Sequence, residues 1–324
     1  MIGRSLIVAR SLDQAAGFKP CALTIGNFDG VHRAHRRLLR STLEAASSAG
    51  LKTAVLMFDP HPSCVVAPER APLLLTSIEE RCELIRGEGI EHVLVQPFTT
   101  ELAKLTPEEF ATQFLRDGLG ANCVIVGENF RFGCKQAGDT KALKELGSRL
   151  GFEVRLIEMV RWRGRRVSSG EVRKLVAMGD VGIAGRLLDR PYAISGEIVH
   201  GHGIGSKQTV PTLNLRTDAQ VIPARGVYVT RTTDLGGARQ WNSITNIGYR
   251  PTFGNTCGTD DTLSIETFLL DSFDGATPER IRLEFLRRVR DERKFESPEA
   301  LKAQILRDVG RAKAYFRRLK RQTR

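Results

Sequence analysis

The sequence has few aromatic residues, no closely paired cysteines and no long apolar run. Aromatic side chains make up 6% of the 324 residues, so a stacking platform for single-stranded nucleic acid is poorly supported. No two of the six cysteines form a C-x-x-C pair, which favours reduced, packed thiols over a zinc site. No apolar run approaches the roughly 20 residues that span a bilayer, and the N-terminus lacks a signal-peptide pattern. We therefore expect a cytoplasmic protein without a membrane partner.

Positive charge is in excess, with 49 lysines and arginines against 37 acidic residues and a formal net charge of +12. Such a charge suits an anionic partner, which is nucleic acid, an anionic membrane surface or a small phosphorylated ligand. No nucleic-acid-binding module is recognisable in the sequence. The hydrophobic content of 41% is that of a globular chain, and its length predicts two domains.

The first half of the chain alternates strand-like and helix-like segments, whereas the second half is mostly strand-like. The alternation predicts a doubly wound parallel sheet, and the later run predicts an antiparallel barrel or sandwich with one C-terminal helix. We place the domain boundary near "LLDRPY", giving domains 1–188 and 189–324. The predicted strands of the first domain are 21–25, 52–58, 91–98, 122–127 and 152–158, and its helices are 31–48, 76–88, 107–117 and 140–150.

The stretch "GNFDGVHRAH" follows the first apolar strand and opens a helix. Asp29 is a plausible N-cap, and His32 and His35 are three residues apart on one helix face. A helix N-terminus at this position favours an anion, and two imidazoles suit a polyphosphate. Two exposed helix histidines, or less readily a metal site, remain the alternatives.

Two distant segments of the first domain carry further candidate phosphate ligands. "VGENFRFG" provides Asn129 and Arg131 after the fourth predicted strand, and "RRVSSGEVRKL" provides Arg166, Ser169 and Arg173. A serine at a helix start with an arginine four residues later can face one phosphate region. Each segment, taken alone, also fits an ordinary loop or helix cap.

A second group of candidates lies in the strand-rich half. Gly201, Gly203 and Gly205 form a glycine-rich loop that lacks the Walker A ending, so a hairpin loop is the alternative. Thr212 and Asn214 share one face of an extended segment and offer the hard oxygen ligands that Mg²⁺ prefers. Glu266 in "SIETFLLD" is either a general base or an outward-facing strand residue.

Taken together, these motifs resemble those of the bacterial bifunctional riboflavin kinase/FMN adenylyltransferase family, and the resemblance covers about residues 15–310. The resemblance rests on "GNFDGVHRAH", "FDPHP", "LTSIEERCELI", "LTPEEF" and "VGENFRFG", and in the second half on "PTLNL", "NIGYRPTFG", the Glu266 strand and "RDERKFESPEALKAQILRD". Ala34 and Gly170 depart from the family's usual glycine and threonine, and Ser206 and Thr209 depart within the kinase loop. The implied fold is a nucleotidylyltransferase domain followed by a small six-stranded Greek-key barrel.

The resemblance implies two ATP-dependent reactions that require Mg²⁺. The C-terminal domain would phosphorylate riboflavin to FMN, with Glu266 as the base and Thr212 and Asn214 on Mg²⁺-ATP. The N-terminal domain would transfer AMP to FMN, with His32 and His35 stabilising the transition state. The implied nucleotide-binding residues are Gly26, Asn27, Asp29, Asn129, Arg166, Ser169, Arg173, Gly201, Gly203, Gly205, Thr212 and Asn214.

The implied partners are small molecules alone, namely ATP, riboflavin and FMN, and we expect a monomer or weak homo-oligomer. Two other functions stay open at this point. One is a homologue that retains a single activity, and the other is a basic protein that binds nucleic acid.

Overall fold

The computed structural model describes residues 5–199, 212–237, 239–250, 262–272 and 276–322. The chain divides into two compact units, Met1–Ser169 and Gly170–Arg324. Residues 170–188, which the sequence assigned to the first domain, are grouped with the second unit. Gly201, Gly203, Gly205, Ser206, Thr209 and Cys257 lie outside the described residues.

The first unit contains a parallel sheet of six strands and a short hairpin. The sheet strands are β1 Ile7–Ala9, β2 Cys21–Ile25, β3 Lys52–Asp59, β4 His92–Pro97, β5 Ala121–Gly127 and β6 Glu153–Ile157, and the hairpin strands are β7 Arg161–Trp162 and β8 Arg165–Arg166. The sheet order is β1-β4-β3-β2-β5-β6, and every neighbouring pair runs parallel. The five predicted strands are confirmed, whereas β1 has only three residues and was not predicted.

Helices connect these strands. They are α1 Arg33–Ala49, α2 Pro62–Val66, α3 Ile78–Gly87, α4 Pro107–Phe110 and α5 Thr140–Leu150. A π-helical stretch, Ala111–Gly118, continues α4. Capping boxes open α3 and α4 as their sequences predict, Ser77 with Glu80 and Thr106 with Glu109.

Both faces of the sheet are covered, and for this reason the central strands β2, β3, β4 and β5 consist mostly of buried apolar residues. On one face, Leu23 and Ile25 of β2 pack in a cluster with Phe114 and Leu143. On the other face, Ala22 packs with residues of α1 and β5, including Ala45 and Ile125. This arrangement confirms the predicted doubly wound sheet.

The second unit is a closed barrel accompanied by helices. The helices are α6 Ser169–Ala177, whose first residue ends the first unit, α7 Val181–Leu188 and α8 Pro298–Gln322. The strands are β9 Tyr192–Val199, β10 Thr212–Arg216, β11 Gly226–Asp234, β12 Gln240–Arg250, β13 Thr262–Leu269 and β14 Arg280–Arg290. Their order is β10-β13-β12-β11-β14-β9. Because β14 lies beside β11 while β11, β12 and β13 follow one another, the barrel is a Greek key.

Helix α8 covers the outer face of the barrel. Ala312 and Phe316 pack against Val227, Val229 and Ile244. The sequence predicted this terminal helix, which continues to Gln322 and so includes basic residues near the end of the chain. Much of the basic tail is therefore helical.

Among the described residues, no helix combines the length and apolarity that crossing a bilayer requires. The five described cysteines are free thiols. Cys21, Cys82 and Cys123 are buried and Cys134 is partly buried, whereas Cys64 is exposed. The expectation of packed cysteines is therefore wrong for Cys64.

Candidate active sites

The strand order of the parallel sheet defines where a ligand would bind in the first unit. The chain leaves β2 towards β3 on one side, and β5 lies on the other side of β2. The connections after β2 and β5 therefore diverge, and such a switch point opens a crevice at the carboxyl ends of the strands. The stretch that begins at Gly26 follows β2, and the stretch that contains Asn129 follows β5. The fold thus brings two predicted segments to one edge.

The turn after β2 ends at His32, which caps α1. The His32 side chain accepts a hydrogen bond from the His35 N–H, with an Nδ1–N distance of 3.3 Å. Because Nδ1 accepts, the proton of a neutral His32 ring lies on Nε2, where it can be donated to an anion. The two imidazole rings stack at 3.6 Å between centroids with an 11° interplanar angle. The predicted pair is thus a preorganised unit at a helix N-terminus.

Asp29 does not cap α1, so that prediction is wrong. Its side chain is buried and accepts hydrogen bonds from the N–H groups of Leu75 and Thr76, at 2.9 and 3.2 Å from Oδ1. The buried Arg81 of α3 pairs with it, with an Nη2–Oδ1 distance of 3.6 Å. Asp29 therefore ties the turn after β2 to the segment that precedes α3.

Arg81 extends this attachment to the backbone. It donates from Nη1 to the Asn27 carbonyl at 3.2 Å and from Nη2 to the Thr76 carbonyl at 2.9 Å. The Gly30 N–H donates to the Thr76 hydroxyl at 3.0 Å. Burial lowers the pKa of Arg81 from its usual value, and the charge of Asp29 opposes that shift.

The same turn holds two non-glycine residues in the left-handed region. The φ angles are 49° at Phe28 and 39° at Val31, and a β-branched residue is disfavoured there. Both side chains are fully buried in the core beneath α1 and α3. Strain of this kind persists only when the surrounding packing imposes it, and it is concentrated at functional sites.

The other residues predicted to bind the nucleotide beside His32 and His35 are placed as follows. Ser169 donates its hydroxyl to the Asp29 carbonyl at 2.9 Å, so it joins the turn after β2. Asn129 is exposed directly after β5, and Arg131 forms an exposed ion pair with Asp139 at 3.9 Å. Arg166 is exposed on β8. Arg173 is half-buried on α6 and belongs to the second unit.

In the barrel, strand register places the predicted kinase residues together. Thr212 and Asn214 flank the buried Leu213, so both lie on the outer face of β10. Asn214 is directly opposite Glu266 of β13. Glu266 is half-buried, and its Oε1 accepts a hydrogen bond from the Ser264 hydroxyl at 3.0 Å. The oxygen-bearing side chains of the two strands therefore share one face.

Sequence reasoning missed several residues that complete these sites. Arg81 and Thr76 fix the first turn, and His61 of the "FDPHP" stretch lies with Nε2 2.8 Å from Asn27 Nδ2. In the barrel, Asn246 of β12 is opposite Glu266 on the side away from Asn214. The sequence contained a signal for Asn246, because this residue lies in the motif "NIGYRPTFG" and "SIETFLLD" is the next predicted strand. Antiparallel pairing of two consecutive strands would bring Asn246 near Glu266.

Gly248 marks a close approach near this second site. A Cβ atom at Gly248 would lie 2.0 Å from Glu292 Oε1 and 3.4 Å from Asn246 Nδ2. A side chain at position 248 would therefore require the exposed Glu292 side chain to move aside. Within the described ranges, His, Cys, Asp and Glu side chains form no cluster of three or more suited to a metal ion.

Comparison with known proteins assigns a class to each unit. Residues 15–171 match the family model of FAD synthetase, and residues 188–316 match that of riboflavin kinase. The chain thus combines two classes of ATP-using enzyme in one polypeptide.

Full-length relatives carry the same combination. The bifunctional riboflavin kinase/FMN adenylyltransferase of Pseudomonas fluorescens is 37% identical over 91% of this chain and 92% of the relative. That of Escherichia coli K12 is 35% identical over 91% of this chain and 93% of the relative. The chain belongs to the bifunctional riboflavin kinase/FMN adenylyltransferase family.

A solved structure from Streptococcus pneumoniae, described as a macrolide-efflux protein, superposes with a TM-score of 0.82. It is 26% identical, and the match covers 94% of this chain and 97% of that one. The likeness therefore extends over both units.

Proposed function

We propose that this chain phosphorylates riboflavin to FMN in its barrel unit and adenylylates FMN to FAD in its parallel-sheet unit. The proposal rests on one observation: each segment that matches a family model also contains a group of side chains suited to the activity of that family. The FAD synthetase match contains the His32–His35 pair at the switch point, and the riboflavin kinase match contains Asn214 opposite Glu266. We further propose domains 1–188 and 189–324 for the two activities.

In the adenylyl transfer, the FMN phosphate attacks the α-phosphorus of ATP and pyrophosphate leaves. His32 would donate from Nε2 to the phosphates, and the helix N-terminus beside it would favour the same charge. His35 stacks on His32 and fixes its ring. The catalytic contribution is therefore positioning and electrostatic stabilisation of the growing phosphate charge, without an enzyme-bound intermediate.

The ATP-binding role extends to residues around this pair. Gly26, Asn27, Asn129, Arg166, Ser169 and Arg173 remain our candidates for nucleotide contacts. Asp29 is assigned a positioning role, because its carboxylate is engaged by Leu75, Thr76 and Arg81. It would act on the nucleotide through the turn that it holds.

In the kinase reaction, Glu266 would accept the proton of the riboflavin 5′-hydroxyl as that oxygen attacks the γ-phosphorus of ATP and ADP leaves. The Thr212 hydroxyl and the Asn214 amide oxygen fit Mg²⁺, which prefers a few hard oxygen ligands together with phosphates and water. Bound there, the ion would offset phosphate charge. Gly201, Gly203 and Gly205 are candidates for the phosphate loop.

The proposed partners are ATP, riboflavin and FMN, and the proposed location is the cytoplasm. We propose a monomer or weak homo-oligomer with no nucleic-acid or membrane partner. The clustering of polar groups at both predicted nucleotide sites favours small phosphorylated ligands as the reason for the positive charge.

The test is incubation with riboflavin, ATP and Mg²⁺, followed by chromatographic separation of the flavins. FAD as the product supports the proposal, and a parallel incubation that starts from FMN isolates the second reaction. FMN as the only product would mean that the adenylyl-transfer half is inactive. Conversion of FMN but not of riboflavin would mean an inactive kinase half, and no turnover of either flavin would overturn both assignments.

A further inference from the structure

The interior of the barrel contains a connected set of five buried hydroxyl groups. We call it the hydroxyl network; its members are Thr230, Thr232, Ser243, Thr245 and Thr267. All five residues have 0% exposure. Their oxygen atoms are linked in one chain, from Thr232 to Ser243 at 2.8 Å, to Thr230 at 2.8 Å, to Thr245 at 2.7 Å and to Thr267 at 2.9 Å.

The network ends next to the kinase residues. Thr245 and Thr267 are opposite each other on β12 and β13, and the adjacent pair of the same ladder is Asn246 and Glu266. Because side chains alternate along a strand, the hydroxyl pair faces the interior while the Asn246–Glu266 pair faces outward. The Thr245–Thr267 hydrogen bond therefore lies on the inner face of the sheet, one residue along β13 from the outward-facing Glu266.

Core packing alone does not require these hydroxyls. Valine has nearly the shape of threonine and would fill the same space without a polar atom to satisfy, and the neighbouring interior positions are apolar, as at Leu213 and Ile265. A buried polar network favours one arrangement of strands when every member is bonded, because displacement leaves hydroxyls unpaired. A shift of one residue in the pairing of β13 with its neighbouring strands would also turn Glu266 towards the interior of the barrel.

We propose that the Thr245–Thr267 end of the hydroxyl network is a positioning device for the kinase centre. By joining Thr267 to Thr245 it holds β13 on β12 in the register and spacing that set Glu266 between Asn214 and Asn246. Its members touch no substrate and act through the strands that carry the reacting groups. The inference rests on the proposed role of Glu266 in phosphoryl transfer.

Thr245→Val is the principal test, because it removes the hydroxyl that bonds Thr267, the neighbour of Glu266, and keeps the side-chain shape. We expect the kcat of FMN formation to fall about tenfold or more, since small displacements of reacting groups have effects of this size. The KM values for riboflavin and ATP should stay within about twofold, as expected when ground-state binding is retained. Thr245→Ser restores the hydroxyl and should restore kcat.

Thr232→Val is the matched control. Thr232 is equally buried and is at the far end of the network, four hydrogen bonds from Thr267. We expect it to lower the melting temperature as Thr245→Val does while leaving kcat unchanged. Equal loss of kcat in both variants, or full kcat in Thr245→Val, would overturn the proposal and leave a purely structural network.

Thr267→Val removes the other partner of the same hydrogen bond and replaces Thr245→Val if that variant does not fold. The double variant should lose no more kcat than Thr245→Val, because that variant already breaks the Thr245–Thr267 bond, along with the bond to Thr230; additive losses would contradict the proposal. Glu266→Gln is assayed in parallel. Retained kinase activity in Glu266→Gln refutes the base assignment. If Glu266 is the base but the network has no positioning role, Glu266→Gln will be inactive and Thr245→Val will be active.

Discussion

The guanidinium of Arg81 and the carboxylate of Asp29 lie 3.6 Å apart, with side-chain exposures of 1% and 2%. Through this pair and its hydrogen bonds, α3 supports the turn that presents His32. The turn contains left-handed Phe28 and Val31, so its conformation depends on such external support. Residues 46 to 54 positions away in sequence thereby fix the position of the imidazoles.

Arg81→Met should destabilise the first unit by about 3 kcal/mol, because a buried charge loses its partner. FAD formation should fall with it, and FMN formation should not. Arg86→Met on the same helix is the control, since the Arg86–Glu83 pair is exposed and should contribute less than about 1 kcal/mol. Thermal unfolding checks both variants, and equal shifts in melting temperature would contradict the assignment.

His32 caps α1 and, in our proposal, donates to the phosphates of ATP, and two substitutions distinguish these roles. His32→Asn retains a side chain that caps a helix well but removes the ring, whereas His32→Ala removes both. We expect both to reduce FAD formation by about a hundredfold, the usual effect of losing a transition-state donor. Only His32→Ala should also lose about 1 kcal/mol of stability. Normal FAD formation by His32→Asn would show that capping is the only role.

Glu266→Gln should abolish FMN formation, because the amide cannot accept the hydroxyl proton. Conversion of added FMN to FAD should be unaffected. Glu284→Gln is a fitting control, since Glu284 is also half-buried on a barrel strand but is paired with Arg231 at 3.6 Å. Flavin chromatography after each incubation gives the result. Kinase activity in Glu266→Gln would exclude it as the base.

The patterns of apolar residues predicted the two architectures correctly, but individual polar residues were misjudged. Asp29 was expected to cap α1 because aspartate is a preferred cap residue. The left-handed turn instead delays the helix until His32 can cap it. Burial of Arg81 could not be predicted, because an arginine on an amphipathic helix normally faces water. Its partner, Asp29, is remote in sequence.

The hydroxyl network was missed for a related reason. Thr230 and Thr232 alternate with other residues of β11, as Ser243 and Thr245 do on β12, and such alternation usually marks a face turned to solvent. In a closed barrel the same spacing places them inside. Both faces of β11 are buried, because α8 covers Val227 and Val229 on the outside, so the spacing alone does not show which face is interior.

Gly133→Ala should disturb the segment after β5 that contains Asn129. Gly133 has a φ of +72°, and a Cβ atom there would lie 2.7 Å from the Pro107 nitrogen. Gly151→Ala is the control, because its φ is +84° but nothing lies within 4 Å, so it should cost only about 1 kcal/mol. We expect a larger loss of melting temperature, and less FAD formation, in Gly133→Ala. Equal behaviour would mean that Pro107 can move aside.

Thiol labelling should separate the cysteines by exposure. Burial raises the pKa of Cys21 to about 12, with Lys52 acting in the opposite direction, so almost no thiolate forms at pH 8. In a Cys257→Ser background, a disulfide reagent should react first with Cys64, and Cys64→Ser should remove that fast phase. Cys21 should react only in denaturant. Rapid labelling of Cys21 in the folded protein would contradict its burial.

The pairing of β9 with β14 has a consequence for synthesis on the ribosome. Tyr192 of the first barrel strand pairs with Phe285 of the last, so the barrel cannot close until almost the whole chain has been translated. The parallel sheet is complete once Ile157 has emerged. Folding can therefore proceed from the N-terminus, as is general for multidomain chains. A ribosome that stalls within the barrel would leave a sheet unit able to fold, followed by unpaired strands prone to aggregation.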